Sequence, residues 1–127
     1  MKILIVEDNQ LLLKVLETKL KKEGYEVISC ENGKDAIDEI IYSSPDLIIT
    51  DIMLPYSSGL EIVNFVKVTL KKSTPVMVLS GIGQEKTVEE AFKLGADDYM
   101  TKPFSLSELS MRIKRFSRIF SATPLQS

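Results

Sequence analysis

Five polar side chains of the sequence directly follow apolar runs, and their types suit one kind of chemistry. They are Glu7, Asp8, Asp51, Ser80 and Lys102. Asp51 interrupts the stretch LIITDIMLP, where an unpaired buried carboxylate would be strongly unfavourable. Three carboxylates close together repel one another, so a cation is expected among them, and a set of carboxylate oxygens suits Mg²⁺.

This set of residues indicates phosphoryl transfer. A carboxylate can attack phosphorus to give an aspartyl phosphate, and Asp51 is the candidate. Mg²⁺ and Lys102 would offset the charge on the phosphoryl oxygens, while the Ser80 hydroxyl would donate a hydrogen bond. Taken singly, Asp8 could equally cap a helix and Lys102 could be a solvated charge. The recurrence of such residues at four strand ends favours a shared site.

The elements that must position these residues alternate between strand and helix. The predicted strands are KILIV (2–6), YEVIS (25–29), DLIIT (46–50), PVMVLS (75–80) and DDYMT (97–101). The predicted helices cover 10–24, 33–44, 60–72, about 84–94 and 105–120. Five such units imply a doubly wound α/β fold with a five-stranded parallel sheet. Its ligands bind at the carboxyl ends of the strands, where the five side chains lie.

Apolar spacing predicts the inward face of three helices. The side chains expected on these faces are Leu12, Val15, Leu16 and Leu20 in the first; Ala36, Ile37, Ile40 and Ile41 in the second; Leu106, Leu109, Ile113, Phe116 and Phe120 in the last. The fifth strand is less apolar than the others and is expected at an edge of the sheet.

Composition excludes several classes of function. The 127 residues, 44% of them hydrophobic, suit one domain, and no apolar run reaches the roughly 18 residues that span a bilayer. A net charge of −2 argues against general affinity for nucleic acid or anionic membranes. The sequence has no histidine, which removes that residue as base, metal ligand or phosphoryl carrier. The single cysteine, Cys30, permits no internal disulfide, so we expect a structural thiol and a cytoplasmic protein.

Four motifs in fixed order resemble the receiver domain of bacterial two-component response regulators. They are ILIVEDN, PDLIITDIMLPYSSGLE, PVMVLSG and GADDYMTKPFSLSEL, and the resemblance covers about residues 2–120. It implies a flavodoxin-like (βα)5 fold with strand order 2-1-3-4-5. It also implies a receiver domain over 1–121 and a flexible tail over 122–127. A sensor histidine kinase would be the phosphodonor, and the domain would catalyse its own phosphorylation and slow dephosphorylation without being a conventional enzyme.

The resemblance also assigns roles to residues. Asp51 would be the phosphoacceptor, assisted by Lys102 and Ser80. Glu7, Asp8, Asp51 and the backbone carbonyl of Met53 would hold Mg²⁺. Ser80 and Tyr99 would respond to phosphorylation and alter the face formed by the fourth helix, fifth strand and fifth helix. Pro103 matches a proline that often follows a cis peptide bond.

Two places depart from the usual pattern of the family, namely Gly81 and the pair Ser57 and Ser58, which replace the commoner glycine/aspartate pair before Gly59. Gly81 stands where alanine is common, which should loosen the loop after Ser80. Met53 and Ile82 flank the expected path of the hydrolytic water and cannot hydrogen-bond to it, which predicts a long-lived phosphoryl group.

Two other functions remain as alternatives. A Mg²⁺-dependent phosphatase could use Asp51 as its nucleophile, although the haloacid-dehalogenase type needs a second acid where Met53 stands. A nucleotide- or flavin-binding module is disfavoured, because VEDNQ places negative charge where a glycine-rich phosphate loop belongs.

The downstream partner is not specified by the sequence. Asp98, Glu108 and Arg112 fit the ion pairs through which the DNA-binding subfamily dimerises, but Val88 stands where a basic partner for Glu108 is expected. We therefore expect at most a weak phosphorylation-dependent homodimer. The basic positions of the last helix are Arg112, Lys114, Arg115 and Arg118. They are expected to form a solvated or partner-docking face rather than a nucleic-acid site.

Overall fold

Strands and helices alternate along the chain in the computed structural model, which describes residues 1–126, with side chains described as far as Ser117. The strands are β1 (Lys2–Val6), β2 (Glu26–Cys30), β3 (Leu47–Asp51), β4 (Val76–Ser80) and β5 (Asp98–Thr101). The helices are α1 (Gln10–Lys22), α2 (Gly33–Ser43), α3 (Gly59–Asn64), α4 (Glu85–Leu94) and α5 (Leu106–Gln126). A π-helical turn, Phe65–Thr69, follows α3 directly.

The five strands form one parallel sheet in the order β2-β1-β3-β4-β5. The predicted strand order and the edge position of β5 are therefore confirmed. The register places Asp51 beside Leu79 of β4, and Ser80 beside Thr101 of β5. Because the strands are parallel, their carboxyl ends share one edge of the sheet, and the polar residues that follow them meet there.

Two apolar layers cover the faces of the sheet. On one face, α2, α3 and α4 pack against side chains such as Leu4, Ile48 and Val78. On the other, α1 and α5 pack against side chains such as Ile5 and Leu79. Every residue of β3 and β4 is buried, as expected of central parallel strands covered on both sides.

The predicted inward faces of the helices need two corrections. Val15 is 40% exposed and Ile41 is 61% exposed. In α1 the buried positions are Leu13, Leu16 and Leu20. Val15 therefore lies beside the buried face of the helix rather than on it. Ile41 follows the buried Ile40 by one residue, and a rotation of about 100° turns its side chain to solvent. Phe120 lies outside the described side chains.

The third helix differs from the predicted continuous helix over 60–72. The helical hydrogen bonds change after Asn64, and the Leu70 N–H donates to the Phe65 carbonyl at 2.8 Å, a π-type bond. Within the π-helical turn, the Lys67 ammonium donates to the Thr74 carbonyl at 2.8 Å and pairs with Asp97 at 2.9 Å. These contacts tie the segment to the amino-terminal ends of β4 and β5.

The last helix, α5, extends past the predicted limit at residue 120. The side chains of the predicted tail, 122–127, are outside the described set, so that domain boundary stays a prediction. No helix among the described residues is both long and apolar enough to traverse a lipid bilayer.

Candidate functional site

The carboxyl edge of the sheet brings together side chains from four separate strands. Glu7 follows β1, Asp51 ends β3, Ser80 ends β4 and Lys102 follows β5. Backbone hydrogen bonds fix these ends, since the Glu7 N–H donates to the Cys30 carbonyl at 3.0 Å and the Lys102 N–H donates to the Ser80 carbonyl at 2.7 Å. The predicted convergence of these residues is therefore present in the structure.

Lys102 lies between two carboxylates. Its ammonium donates to Glu7 Oε1 at 2.5 Å and to Asp51 Oδ2 at 2.9 Å. Glu7 is fully buried, and Asp51 is 8% exposed. Burial alone lowers the pKa of Lys102, but hydrogen bonds and charges from Glu7 and Asp51 outweigh it and raise that pKa above its usual value. Lys102 is therefore a permanent cation beside Asp51 at neutral pH.

The acidic cluster consists of Glu7, Asp8 and Asp51. One carboxylate oxygen from each lies within 4.8 Å of the others. In an octahedral Mg²⁺ site with bonds of 2.0–2.1 Å, ligand oxygens lie about 2.9 Å apart when adjacent and about 4.2 Å apart when opposite, so the three carboxylates would draw closer to bind one ion directly or hold it through water. Asp8 is exposed, which leaves room for the waters that Mg²⁺ usually keeps. The donor set therefore fits Mg²⁺.

Asn9, rather than Asp8, caps the following helix. The Asn9 side chain accepts from the Leu12 N–H at 3.0 Å, and the Asn9 N–H donates to Glu7 Oε2 at 3.0 Å. The first turn of α1 thus receives its capping bond without Asp8. This removes the simplest structural explanation for the Asp8 carboxylate.

The backbone at Asp51 is held from several directions. The Thr50 hydroxyl donates to the Asp51 carbonyl at 2.9 Å, and the Ile52 N–H donates to the Leu79 carbonyl at 2.9 Å. Gly59 approaches so closely that a Cβ atom on it would lie 2.5 Å from the Asp51 carbonyl oxygen. These supporting roles of Thr50 and Gly59 are not predictable from the sequence, because neither residue follows a strand end.

The two predicted switch residues line one cavity beside the cluster. The cavity, about 470 Å³, is lined by Ser80, Gly81, Glu85, Val88, Glu89, Phe92, Tyr99 and Thr101. Ser80, one of these lining residues, is itself buried. The Tyr99 ring is partly exposed and packs edge-to-face on Phe92, with centroids 5.8 Å apart. If the Ser80 side chain moves, it therefore leaves or enters an open cavity that the Tyr99 ring also lines.

The remaining sequence candidates lie at the margin of the site. The Met53 side chain is 57% exposed, and Ile82 is 86% exposed. The Lys102–Pro103 peptide bond is cis. Burial raises the pKa of the Cys30 thiol to about 11, assisted by the charges of Glu39, Asp35 and Asp38, as befits a structural rather than a reactive cysteine.

Comparison with known proteins agrees with this geometry. Residues 3–114 match the family described as response regulator receiver domain. The fold is similar to the receiver domain of a Francisella response regulator, at 30% identity and a TM-score of 0.86 over 94% of this chain and 98% of that one. A chemotaxis response regulator of Vibrio cholerae matches at 29% identity and a TM-score of 0.81 over 91% and 97% of the two chains.

A receiver domain from a signal transduction histidine kinase of Syntrophus aciditrophicus matches at 32% identity and a TM-score of 0.81 over 91% of this chain and 88% of that one. The match to the family spans most of the sequence. The chain belongs to the receiver domains of two-component response regulators.

Proposed function

We propose that Asp51 accepts a phosphoryl group from the phosphohistidine of a sensor histidine kinase and that the resulting aspartyl phosphate operates a signalling switch. The observation that supports this most directly is the bridge from Lys102 to both Asp51 and Glu7. It holds the nearly buried Asp51 carboxylate beside a fixed positive charge. That is the arrangement in-line attack on phosphorus needs.

The reaction follows from the positions of these atoms. Lys102 binds Asp51 Oδ2, which leaves Oδ1 for attack. A bond forms between Oδ1 and phosphorus while the phosphorus–nitrogen bond to the donor imidazole breaks, and the released imidazole keeps the electron pair and takes up a proton. Lys102 then neutralises one phosphoryl oxygen, and the Ser80 hydroxyl donates to another.

Mg²⁺ is the cofactor of this proposal, with Asp8, Glu7, Asp51 and the Met53 carbonyl as its protein ligands. Bound there, it supplies additional positive charge for the phosphoryl oxygens. Asp8 and Glu7 differ in their surroundings. The Glu7 oxygens already accept hydrogen bonds from Lys102 and from the Asn9 N–H, whereas Asp8 is exposed and does not cap α1. Asp8 is therefore the more direct ligand.

Asp51 phosphorylation is proposed to act on the face formed by α4, β5 and α5. The cavity between α4 and β5 gives Tyr99 room to rotate inward when Ser80 moves toward the phosphoryl group. The two arrangements need to differ by only a few kcal/mol for a phosphoryl group to change their populations.

Homodimerisation through this face is proposed to be weak. Asp98 is buried and already pairs with Arg112 at 2.7 Å and with Arg115 at 3.2 Å in the same molecule. Arg112 also binds Glu108 at 3.1 Å, and Val88 is buried against the core. A second copy would therefore have to exchange existing ion pairs for new ones, with little net gain.

A phosphatase acting on other molecules is not proposed. Met53 stands where such an enzyme needs its second acid, and its exposed thioether side chain cannot donate a proton.

Intact-mass measurement after incubation with acetyl phosphate and Mg²⁺ tests the proposed phosphoacceptor. Wild-type protein should gain one phosphoryl group, and Asp51→Asn should gain none. Chelating the metal should suppress the adduct. Asp46→Asn is a matched control at an aspartate outside the cluster, and it should be labelled like wild type. Equal labelling of Asp51→Asn and wild type would refute the assignment.

A further inference from the structure

The loop between β4 and α4 is closed by a single side chain. Gln84 stands at the start of α4, but its side chain makes no capping hydrogen bond to the helix. Its Oε1 atom instead accepts from the Gly81 N–H at 2.5 Å. The side chain thus folds back across Ile82 and Gly83 and fastens the first residue after Ser80.

This contact restrains a loop whose own backbone offers little resistance to movement. Gly81 and Gly83 bracket the exposed Ile82, and Gly83 has φ +88. Glycine has no side chain to restrict its backbone. A Cβ atom at Gly81 would meet nothing nearer than the Gln84 amide, at 3.6 Å. There is thus open space beside Gly81, and the contact that holds its N–H is the hydrogen bond to Gln84.

The charge of an aspartyl phosphate would compete for the same donor. A phosphoryl group has nearly two negative charges and three accepting oxygens. The Gly81 N–H lies one residue beyond Ser80, and a hydrogen bond to an anion is stronger than one to a neutral amide. Moving Ser80 toward Asp51 would draw Gly81 with it and separate Gly81 from Gln84.

We propose that the Gln84 side chain is a latch, a positioning residue that holds the β4–α4 loop in its resting arrangement and must release Gly81 when Asp51 is phosphorylated. This inference depends on the proposed function of Asp51. It assigns to Gln84 a share in setting how readily the domain switches. A neutral hydrogen bond of ordinary strength corresponds to roughly a 2- to 10-fold change in such an equilibrium.

Titration with beryllofluoride, a stable mimic of the phosphoryl group, in the presence of Mg²⁺ tests the latch. Gln84→Met has nearly the same size and no carbonyl, so its half-saturating concentration should fall about 2- to 10-fold below that of wild type. Gln84→Glu keeps the acceptor for the Gly81 N–H and adds a negative charge, so its half-saturating concentration of beryllofluoride should be higher than that of wild type. Lys86→Met introduces the same side chain elsewhere on α4 and should match wild type.

Thermal unfolding of the same variants separates a latch from a purely structural role. A structural role would lower the melting temperature of Gln84→Met without tightening its binding of the mimic. Equal half-saturation of Gln84→Met and wild type would overturn the latch. Failure of wild type to bind the mimic, or equal binding by Asp51→Asn, would instead overturn the proposed function and the latch with it.

Discussion

The acidic cluster should destabilise the protein when no metal is bound, and Asp8→Asn should relieve this. Three carboxylates, from Glu7, Asp8 and Asp51, face one ammonium from Lys102. Like charges that close disfavour the folded state, in which alone they are held together. Asp8 is the residue to change, since it is exposed and does not bind Lys102 in the structure.

The magnitude follows from the separation of the charges. At the 4.8 Å limit of the cluster, one pair of unit charges repels by about 0.9 kcal/mol in a water-like medium and about 3.5 kcal/mol at an effective dielectric constant of 20. Exposure of Asp8 places its two repulsions toward the lower value, and attraction to Lys102 offsets part of them. We expect Asp8→Asn to stabilise the metal-free protein by about 1–2 kcal/mol, or about 4–8 °C in melting temperature.

Thermal unfolding in a chelator at low ionic strength measures this effect. Because the repulsion is partly solvent-exposed, high salt should shrink the difference between Asp8→Asn and wild type. Adding Mg²⁺ should raise the melting temperature of wild type more than that of Asp8→Asn. Glu90→Gln removes the same charge from the exposed side of α4 and should have little effect. A metal-free Asp8→Asn protein no more stable than wild type would refute the reasoning.

Three further predictions concern neighbouring residues. Gly59→Ala should lower stability by about 1–3 kcal/mol in a denaturant titration, because its Cβ would meet the Asp51 carbonyl oxygen at 2.5 Å; Gly81→Ala, which has space, is the control, and equal costs would count against the clash. Met53→Asn should speed loss of the phosphoryl group, followed by intact mass over time, whereas Met53→Leu should not; unchanged decay in Met53→Asn would contradict the water-orienting argument. Cys30 has its pKa raised to about 11, so native protein at pH 8 should react with iodoacetamide at least about 100-fold more slowly than urea-unfolded protein. The Cys30 thiol ionises at a lower pH in the unfolded protein than in the native protein, so the stabilisation gained by burying the neutral thiol should be lost as the pH rises from about 9 to about 11. Comparable rates of reaction with iodoacetamide in native and unfolded protein would show that the thiol is not buried.

The sheet and the residues at its edge were predictable because both depend on short, repeated patterns. Apolar runs such as LIIT mark central strands, and parallel strands necessarily align the residues that end them. The convergence of Glu7, Asp51 and Lys102 followed from topology alone. The predicted helix faces were less accurate at Val15 and Ile41. Each is an apolar residue next to the buried face of its helix, and its residue type does not show whether its side chain points inward or outward.

Contacts of the loops were not predictable in the same way. Gly59 looked like an ordinary turn residue in YSSGLE, and only its approach to the Asp51 carbonyl shows why no side chain fits. The π-helical turn at Phe65–Thr69 depends on one shifted hydrogen bond, which leaves no periodic mark in the sequence. Gln84 is likewise a residue type that is usually solvated at the start of a helix. Its hydrogen bond to Gly81 depends on the path of the loop, which the sequence does not show.

Charges on the face formed by α4, β5 and α5 show how far residue identity falls short of function. The sequence offers Asp98, Glu108 and Arg112 as candidates for ion pairs between two copies, because their charges and spacing fit such pairs. The structure uses them within one molecule, where hydrogen bonds and the charge of Asp98 raise the pKa of Arg112 above its usual value. Arg112 thereby ties α5 to the edge strand β5. A partner at this face must therefore either accept that arrangement or replace it. Because Asp98 is buried between two arginines, replacement would leave a desolvated carboxylate unless new donors arrive together.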